Sequence, residues 1–124
     1  MAKAGMFNRL DTIILRVRDL ERSRVWYQQR LEMKLLSTYE GDRTVTLDLG
    51  GSATLTLKEL KPGEAAIPLG PQGPCPVFFT DTLEQSRQTL INRGVEVTEI
   101  YGQFIRYFYL ADPDQNCLQV WTRP

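Results

Sequence analysis

The sequence predicts an α+β fold in which one βαβββ unit is used twice, the two copies forming a cleft of curved mixed sheet. Two observations carry this. Leu20-Glu21-Arg22-Ser23-Arg24 returns 63 residues later as Leu83-Glu84-Gln85-Ser86-Arg87, and self-similarity at a fixed offset marks a reused supersecondary unit. The same offset lays residues 12–17 on 75–80, the turn Gly50-Gly51-Ser52 on Pro113-Asp114-Gln115, and residues 54–58 on 117–121. At 124 residues the chain suits a single domain with a working core. It divides into units at about 9–60 and 75–124, joined by a linker at 61–74.

In the first unit, Ile13, Leu15 and Val17 alternate with Thr12, Ile14 and Arg16, the period of a strand with one buried face. Asp19 is placed to cap a helix over 20–31, whose Leu20, Ser23, Tyr27 and Leu31 share one side. Trp26 and Tyr27 are read as core, because aromatics at helical spacing are far more often packed than presented to a cofactor. Strands follow at 33–39 and 44–49, turned by Glu40-Gly41-Asp42. In the second of these, Val45, Leu47 and Leu49 alternate with Thr44, Thr46 and Asp48. Gly50-Gly51 signals a hairpin into a strand at 53–57.

Prolines 62, 68, 71 and 74 and glycines 63, 70 and 73 make 61–74 a stiffened linker without periodicity. The second unit then repeats the order: a strand at 76–80, a helix at 83–92 and strands at 95–100, 106–110 and 118–121. Thr82 and Gln85 have capping-box spacing, and Gly94 is a helix stop. The register slips by one after the helix, since Glu32 stands where a glycine would match Gly94.

Fifteen basic and fifteen acidic residues cancel, so no strong field invites nucleic acid or an anionic membrane surface. Two cysteines without a pairing pattern fit a reducing compartment. The opening residues lack the apolar run of a signal peptide and no stretch is long enough to span a membrane, so a cytoplasmic protein is expected. With His 0 in the composition, no imidazole is available as base, acid or metal ligand.

The run V-x-D-L-x-x-S-x-x-[FW]-Y-x-x-x-L from Val17 to Leu31, together with D-P-D-x-N from Asp112 to Asn116, resembles the vicinal oxygen chelate superfamily. That group includes glyoxalase I, bleomycin-resistance proteins, extradiol dioxygenases and fosfomycin-resistance enzymes. The resemblance implies the doubled fold and covers nearly all of the chain but the linker. In metal-dependent members the four ligands are typically histidine, glutamate or glutamine. Carried over by position they become Thr12, Thr56, Cys75 and Gln119, which also obey the repeat offset. Two hydroxyls, a thiol and an amide make a poor divalent site. No metal, no other cofactor and no catalytic residue is therefore assigned.

Strand alternation sends one set of side chains into the cleft. The candidate ligand-binding residues are Thr12, Ile14, Arg16, Thr46, Asp48, Thr56 and Lys58 from the first unit. From the second come Cys75, Phe79, Tyr107, Tyr109, Cys117, Gln119 and Trp121. Hydroxyls and aromatics with few charges suit a flat organic molecule. Arg16 matches an arginine that glyoxalase I uses near the carboxylate of its thiol cofactor; an internal pair with Asp48 is the plainer alternative. Cys75 reads as an apolar filler, since nothing in the sequence lowers its pKa.

The leading expectation is a metal-free binder that sequesters a small, partly aromatic drug or metabolite. An enzyme of lyase, isomerase or dioxygenase type, working through Tyr107, Tyr109, Asp48 or Lys58, is the alternative, and a plain interaction module is a third. A unit with one uncovered sheet edge must pair with another. The resemblance implies a homodimer, often with the cleft shared between chains.

Overall fold

The computed structural model describes residues 5–51, 53–68 and 70–124. Ser52 of the predicted glycine turn, Leu69 of the linker and residues 1–4 lie outside these. The order is β1 (Thr12–Val17), α1 (Leu20–Arg30), β2 (Lys34–Tyr39), β3 (Thr44–Asp48), β4 (Thr54–Glu59), β5 (Val77–Phe79), α2 (Leu83–Asn92), β6 (Glu96–Val97), β7 (Arg106–Ala111) and β8 (Cys117–Thr122). Two mixed four-stranded sheets result, ordered β1-β4-β3-β2 and β5-β8-β7-β6. In each, the first strand runs parallel to the last and the remaining pairs are antiparallel.

Each sheet buries one face under its helix and leaves the other open. Leu15, Val17, Val45, Leu47, Leu55 and Leu57 from the first sheet join Phe108, Leu110, Leu118 and Val120 from the second in one core, with Leu20 and Tyr27 of α1 and Leu83 and Leu90 of α2. The alternation of 12–17 and 44–48 is reproduced residue by residue, because a period of two commits alternate side chains to opposite faces.

The helix ends show where the repeat is imperfect. Asp19 accepts from the Arg22 N–H at 3.0 Å, so α1 is capped as the sequence indicates. The Thr82–Gln85 capping box does not form. The Thr82 hydroxyl is taken instead by Thr80 and Ser86, at 3.1 Å each. Gly94 ends α2 at φ +78°, and Glu32 ends α1 at φ +60°. The one-residue slip is thus a longer first helix whose left-handed stop is a glutamate.

Two strands of the second unit are shorter than expected, each for a local reason. Pro76 has no N–H to give, so β5 starts at Val77. The strand predicted at 95–100 shrinks to Glu96–Val97 because the Thr98 hydroxyl, not a backbone carbonyl, accepts the Tyr109 N–H at 3.0 Å. Pairing resumes as a single bridge between Tyr101 and Tyr107.

The D-P-D-x-N run fastens the two units together. Asp112 Oδ1 accepts from the backbone N–H groups of Asp114 (2.9 Å) and Asn116 (2.8 Å), closing the β7–β8 turn with Gln115 at φ +65°. Its Oδ2 accepts from the Tyr27 hydroxyl at 2.8 Å and the Asn116 amide at 3.0 Å. Asp114 accepts from Ser23 at 3.3 Å and from the Arg18 N–H at 3.0 Å. Asn116 also donates to the Arg16 carbonyl at 3.1 Å. Ser23, Asp112, Asp114 and Asn116 are all buried, where polar groups persist only when satisfied. Burial pushes the Asp112 carboxyl up, against the downward pull of Asn116 and Tyr27, and pushes the Tyr27 phenol well up.

Candidate binding site

Register partners cross each open face in rows. On the first sheet they run Thr12–Thr54–Asp48–Lys34, then Ile14–Thr56–Thr46–Ser37, then Arg16–Lys58–Thr44–Tyr39. On the second, Cys117–Ala111–Glu96 is followed by Val77–Gln119–Tyr109 and then by Phe79–Trp121–Tyr107–Tyr101. All fourteen residues assigned from the sequence lie on these faces, Cys75 just ahead of Val77. No hydrogen bond, ion pair or ring contact among the described residues links the first-sheet set to the second-sheet set.

The hydroxyls of the first face bond to one another. Thr12 and Thr56 share a hydrogen bond of 2.7 Å, and Thr56 and Thr46 one of 3.2 Å. Asp48 Oδ1 accepts from the Gly50 N–H at 2.9 Å. Arg16 does not pair with it. The partner of Arg16 is Glu64 of the linker, also held by the Lys61 N–H at 2.9 Å. Asp48 and Arg16 lie at opposite ends of the sheet, and the linker returns directly over the Arg16 end. Arg16 Nε is buried without a partner. Lys58, half-buried beside Arg16, has no hydrogen-bond or ion-pair partner among the described residues.

The second face is aromatic. Phe79 is 54% exposed and Tyr101 45%. Ring centroids of Tyr101 and Tyr107, and of Tyr107 and Tyr109, lie 5.8 Å apart. The guanidinium of Arg123 stands 5.5 Å above the Phe79 ring and 5.3 Å above that of Trp121. A hollow of about 190 Å³ beside Tyr109 and Cys117 is walled by Thr98, Glu96 and Pro71 of the linker. Burial pushes both thiols up, Cys117 further so through Cys75, and burial with neighbouring Tyr107 and both cysteines pushes the Tyr109 phenol up. A larger hollow of about 270 Å³, at Glu32, Met33, Lys34 and Phe78, lies away from the aromatic row.

Tyr39, Glu64, Tyr101 and Arg123 were missed from the sequence. Arg123 had a signal, since alternation carried two residues past Trp121 puts it on the same face. Glu64 had none.

Residues 9–120 match the family model described as Glyoxalase/Bleomycin resistance protein/Dioxygenase superfamily. The chain belongs to that superfamily. No curated protein matches it. Among solved structures, a glyoxalase family protein from Bacillus anthracis has a TM-score of 0.82 at 16% identity, covering 97% of this chain and 98% of that one. TnmS3, an antibiotic binding protein from Streptomyces sp. CB03234, has a TM-score of 0.81 at 19% identity, covering 97% and 99%. Lactoylglutathione lyase from Agrobacterium tumefaciens has a TM-score of 0.74 at 15% identity, covering 95% and 96%. These likenesses are of fold.

The resemblance carries the ligand positions of metal-dependent members onto Thr12, Thr56, Cys75 and Gln119. Those side chains do not fit a divalent ion. The hydroxyls are committed to each other, burial pushes the thiol up, against metal binding, and an amide oxygen alone is a weak ligand. Among the described residues no group of three or more His, Cys, Asp or Glu could hold a metal, and no helix is long and apolar enough to cross a membrane.

Proposed function

We propose that this superfamily member binds and sequesters a small, partly aromatic organic molecule without a metal ion. Its cleft is completed when the first-unit face of one copy meets the second-unit face of another in a cytoplasmic homodimer. The observation that carries this is the row Phe79–Trp121–Tyr107–Tyr101, four aromatics on neighbouring elements with Phe79 half exposed. Leaving that much apolar surface in water is costly at about 25 cal/mol per Å². Occupation by a stacked ring removes the cost and would add about 0.5–1.5 kcal/mol per well-set aromatic pair. The unjoined first and second faces within one chain favour closure by a partner copy.

Acid–base catalysis is less well supported. Asp48 and Lys58 lie at opposite ends of β3 and β4, and Tyr109 is displaced away from neutral titration. Neither arrangement gives a general base with a proton partner.

The test combines three measurements on purified protein: elemental analysis, light scattering at micromolar concentration, and melting temperature against a library of flat aromatic compounds. Expected are sub-stoichiometric metal, a dimer mass, and stabilisation by a subset of aromatics, since a ligand at a hundred times its Kd adds about 2.7 kcal/mol. Stoichiometric metal, or a library that shifts nothing, overturns the reading.

A further inference from the structure

We propose that the ligand is a planar organic anion. Its ring lies on the row Phe79–Trp121–Tyr107–Tyr101, and its carboxylate, sulfonate or phosphate is taken by the guanidinium of Arg123. This rests on the binder reading above and adds the sign of the ligand's charge and the residue that reads it.

Arg123 is engaged by aromatic rings and by nothing else that is charged or polar among the described residues. Its guanidinium sits over the faces of both Phe79 and Trp121, within cation–π reach of each ring. No hydrogen bond or ion pair takes its N–H groups among the described residues, so its donors are unspent. A guanidinium has a planar fork of donors that matches an oxyanion. An anion bound there gains charge-assisted hydrogen bonds beside the aromatic surface that takes its ring.

The first unit points the same way through an independent observation. The residues that match Phe79 and Trp121 at the repeat offset are Arg16 and Lys58. They are direct partners across a parallel pair, an arrangement of like charges that destabilises a sheet. One carboxylate, Glu64, answers Arg16. Nothing among the described residues answers Lys58. The aromatic row and its counterpart in the other unit therefore carry unspent positive charge and no unspent negative charge. The acids on the open faces, Asp48 and Glu96, belong to other rows, Asp48 with Thr12 and Thr54 and Glu96 with Ala111 and Cys117.

A cationic ligand would have to displace Arg123 from the rings and would find no unpaired carboxylate in the aromatic row, while Glu64 of the linker is already spent on Arg16. A neutral aromatic would leave the Arg123 donors to water. The anion alone uses both the stack and the charge.

The experiment compares three probes by dye emission on the full chain at low salt. They are 8-anilinonaphthalene-1-sulfonate, its uncharged relative N-phenyl-1-naphthylamine, and the planar cation thioflavin T. The anionic dye should bind about tenfold more tightly than the neutral one, which is about 1.4 kcal/mol, and should lose most of that advantage in ~1 M salt. Arg123→Gln should cut anionic-dye affinity about tenfold and leave the neutral dye within about twofold; Arg123→Lys should fall between. Arg123 is exposed beyond the last strand, and an unchanged melting temperature confirms that both variants fold. If the neutral dye binds as well as the anionic one, if thioflavin T binds best, or if Arg123→Gln leaves their ratio unchanged, the charge inference falls while the binder reading stands. If no dye binds the wild-type chain, both fall.

Discussion

The two halves of this molecule share a backbone and disagree about chemistry. At matched positions the first unit has Thr12, Thr46, Thr54 and Thr56 where the second has Cys75, Tyr109, Cys117 and Gln119, and Arg16 and Lys58 where the second has Phe79 and Trp121. Strand order and pairing direction are the same in both. Most core-facing strand positions stay apolar in both units, as in Leu15 and Phe78, Val45 and Phe108, Leu47 and Leu110, Leu55 and Leu118, and Leu57 and Val120, because burial favours little else. Those on the open faces diverged into a hydroxyl-and-cation wall and an aromatic wall. The doubled scaffold fixes where a side chain points, and the ligand-facing half of each strand is free to specialise.

The two units meet at the Asp112 turn. Asp112→Ala removes the acceptor of four donors, two of them backbone N–H groups and two the buried Tyr27 and Asn116 side chains. The expected loss is on the order of 3–5 kcal/mol, read by urea unfolding. Because this turn holds α1 of the other unit, tryptophan emission and far-UV circular dichroism should unfold together. Separate transitions would show that the units are independent.

The aromatic wall alone is addressed at Gly102. Its φ is +88°, and a Cβ there would meet the Ile105 carbonyl oxygen at 2.1 Å. Gly102→Ala should cost about 1–3 kcal/mol and displace Tyr101, weakening aromatic ligands while the first unit keeps its hydrogen-exchange protection. An equal loss of protection in both units would contradict this assignment.

A gain is expected where the first unit lacks the second unit's glycine. Glu32 holds φ +60° at the end of α1, as Gly94 holds φ +78° at the end of α2. Glu32→Gly should raise stability by about 0.5–1 kcal/mol through relief of the left-handed backbone, less the exposed pair with Arg93. A lower melting temperature would mean that the pair between α1 and the end of α2 outweighs the strain.

The smallest effect concerns acid. The Arg43 guanidinium, and after it the Leu20 N–H, hold the Glu59 carboxyl below its usual range. The folded chain takes up this proton later than the unfolded chain does. Glu59 therefore stabilises fully above the unfolded carboxylate value of about 4.3, and that stabilisation is lost as pH falls through the depressed folded value. The matched residue in the second unit is Thr122, which cannot titrate. Glu59→Gln should be less stable than wild type near neutral pH, and the gap should narrow on acidification; a gap that widens reverses the sign.

How much of this was legible beforehand differs from place to place. Thr12–Val17 and Thr44–Asp48 could be assigned to a buried and an open face from alternation alone. Leu83–Asn92 was bounded by its cap region and by Gly94. The strand after α2 could not be bounded, because whether Thr98 lends its hydroxyl or its carbonyl to Tyr109 depends on how β7 lies beside it. Asp48 was as reasonable a partner for Arg16 as any acid until the linker was seen to bring Glu64 across from 48 positions away.

By itself, then, the sequence determined the doubled α+β scaffold, its capped first helix, the faces of its strands and the absence of an imidazole set for a metal. Those features are local or periodic, and a spacing of two, of three to four, or of 63 can be read along one dimension. Tertiary structure alone decided that Tyr27 meets Asp112 across 85 residues, that Glu64 covers Arg16, and that Tyr101 completes a row begun by Phe79. Such pairings follow from register and the path of the linker, which no short stretch of side chains encodes.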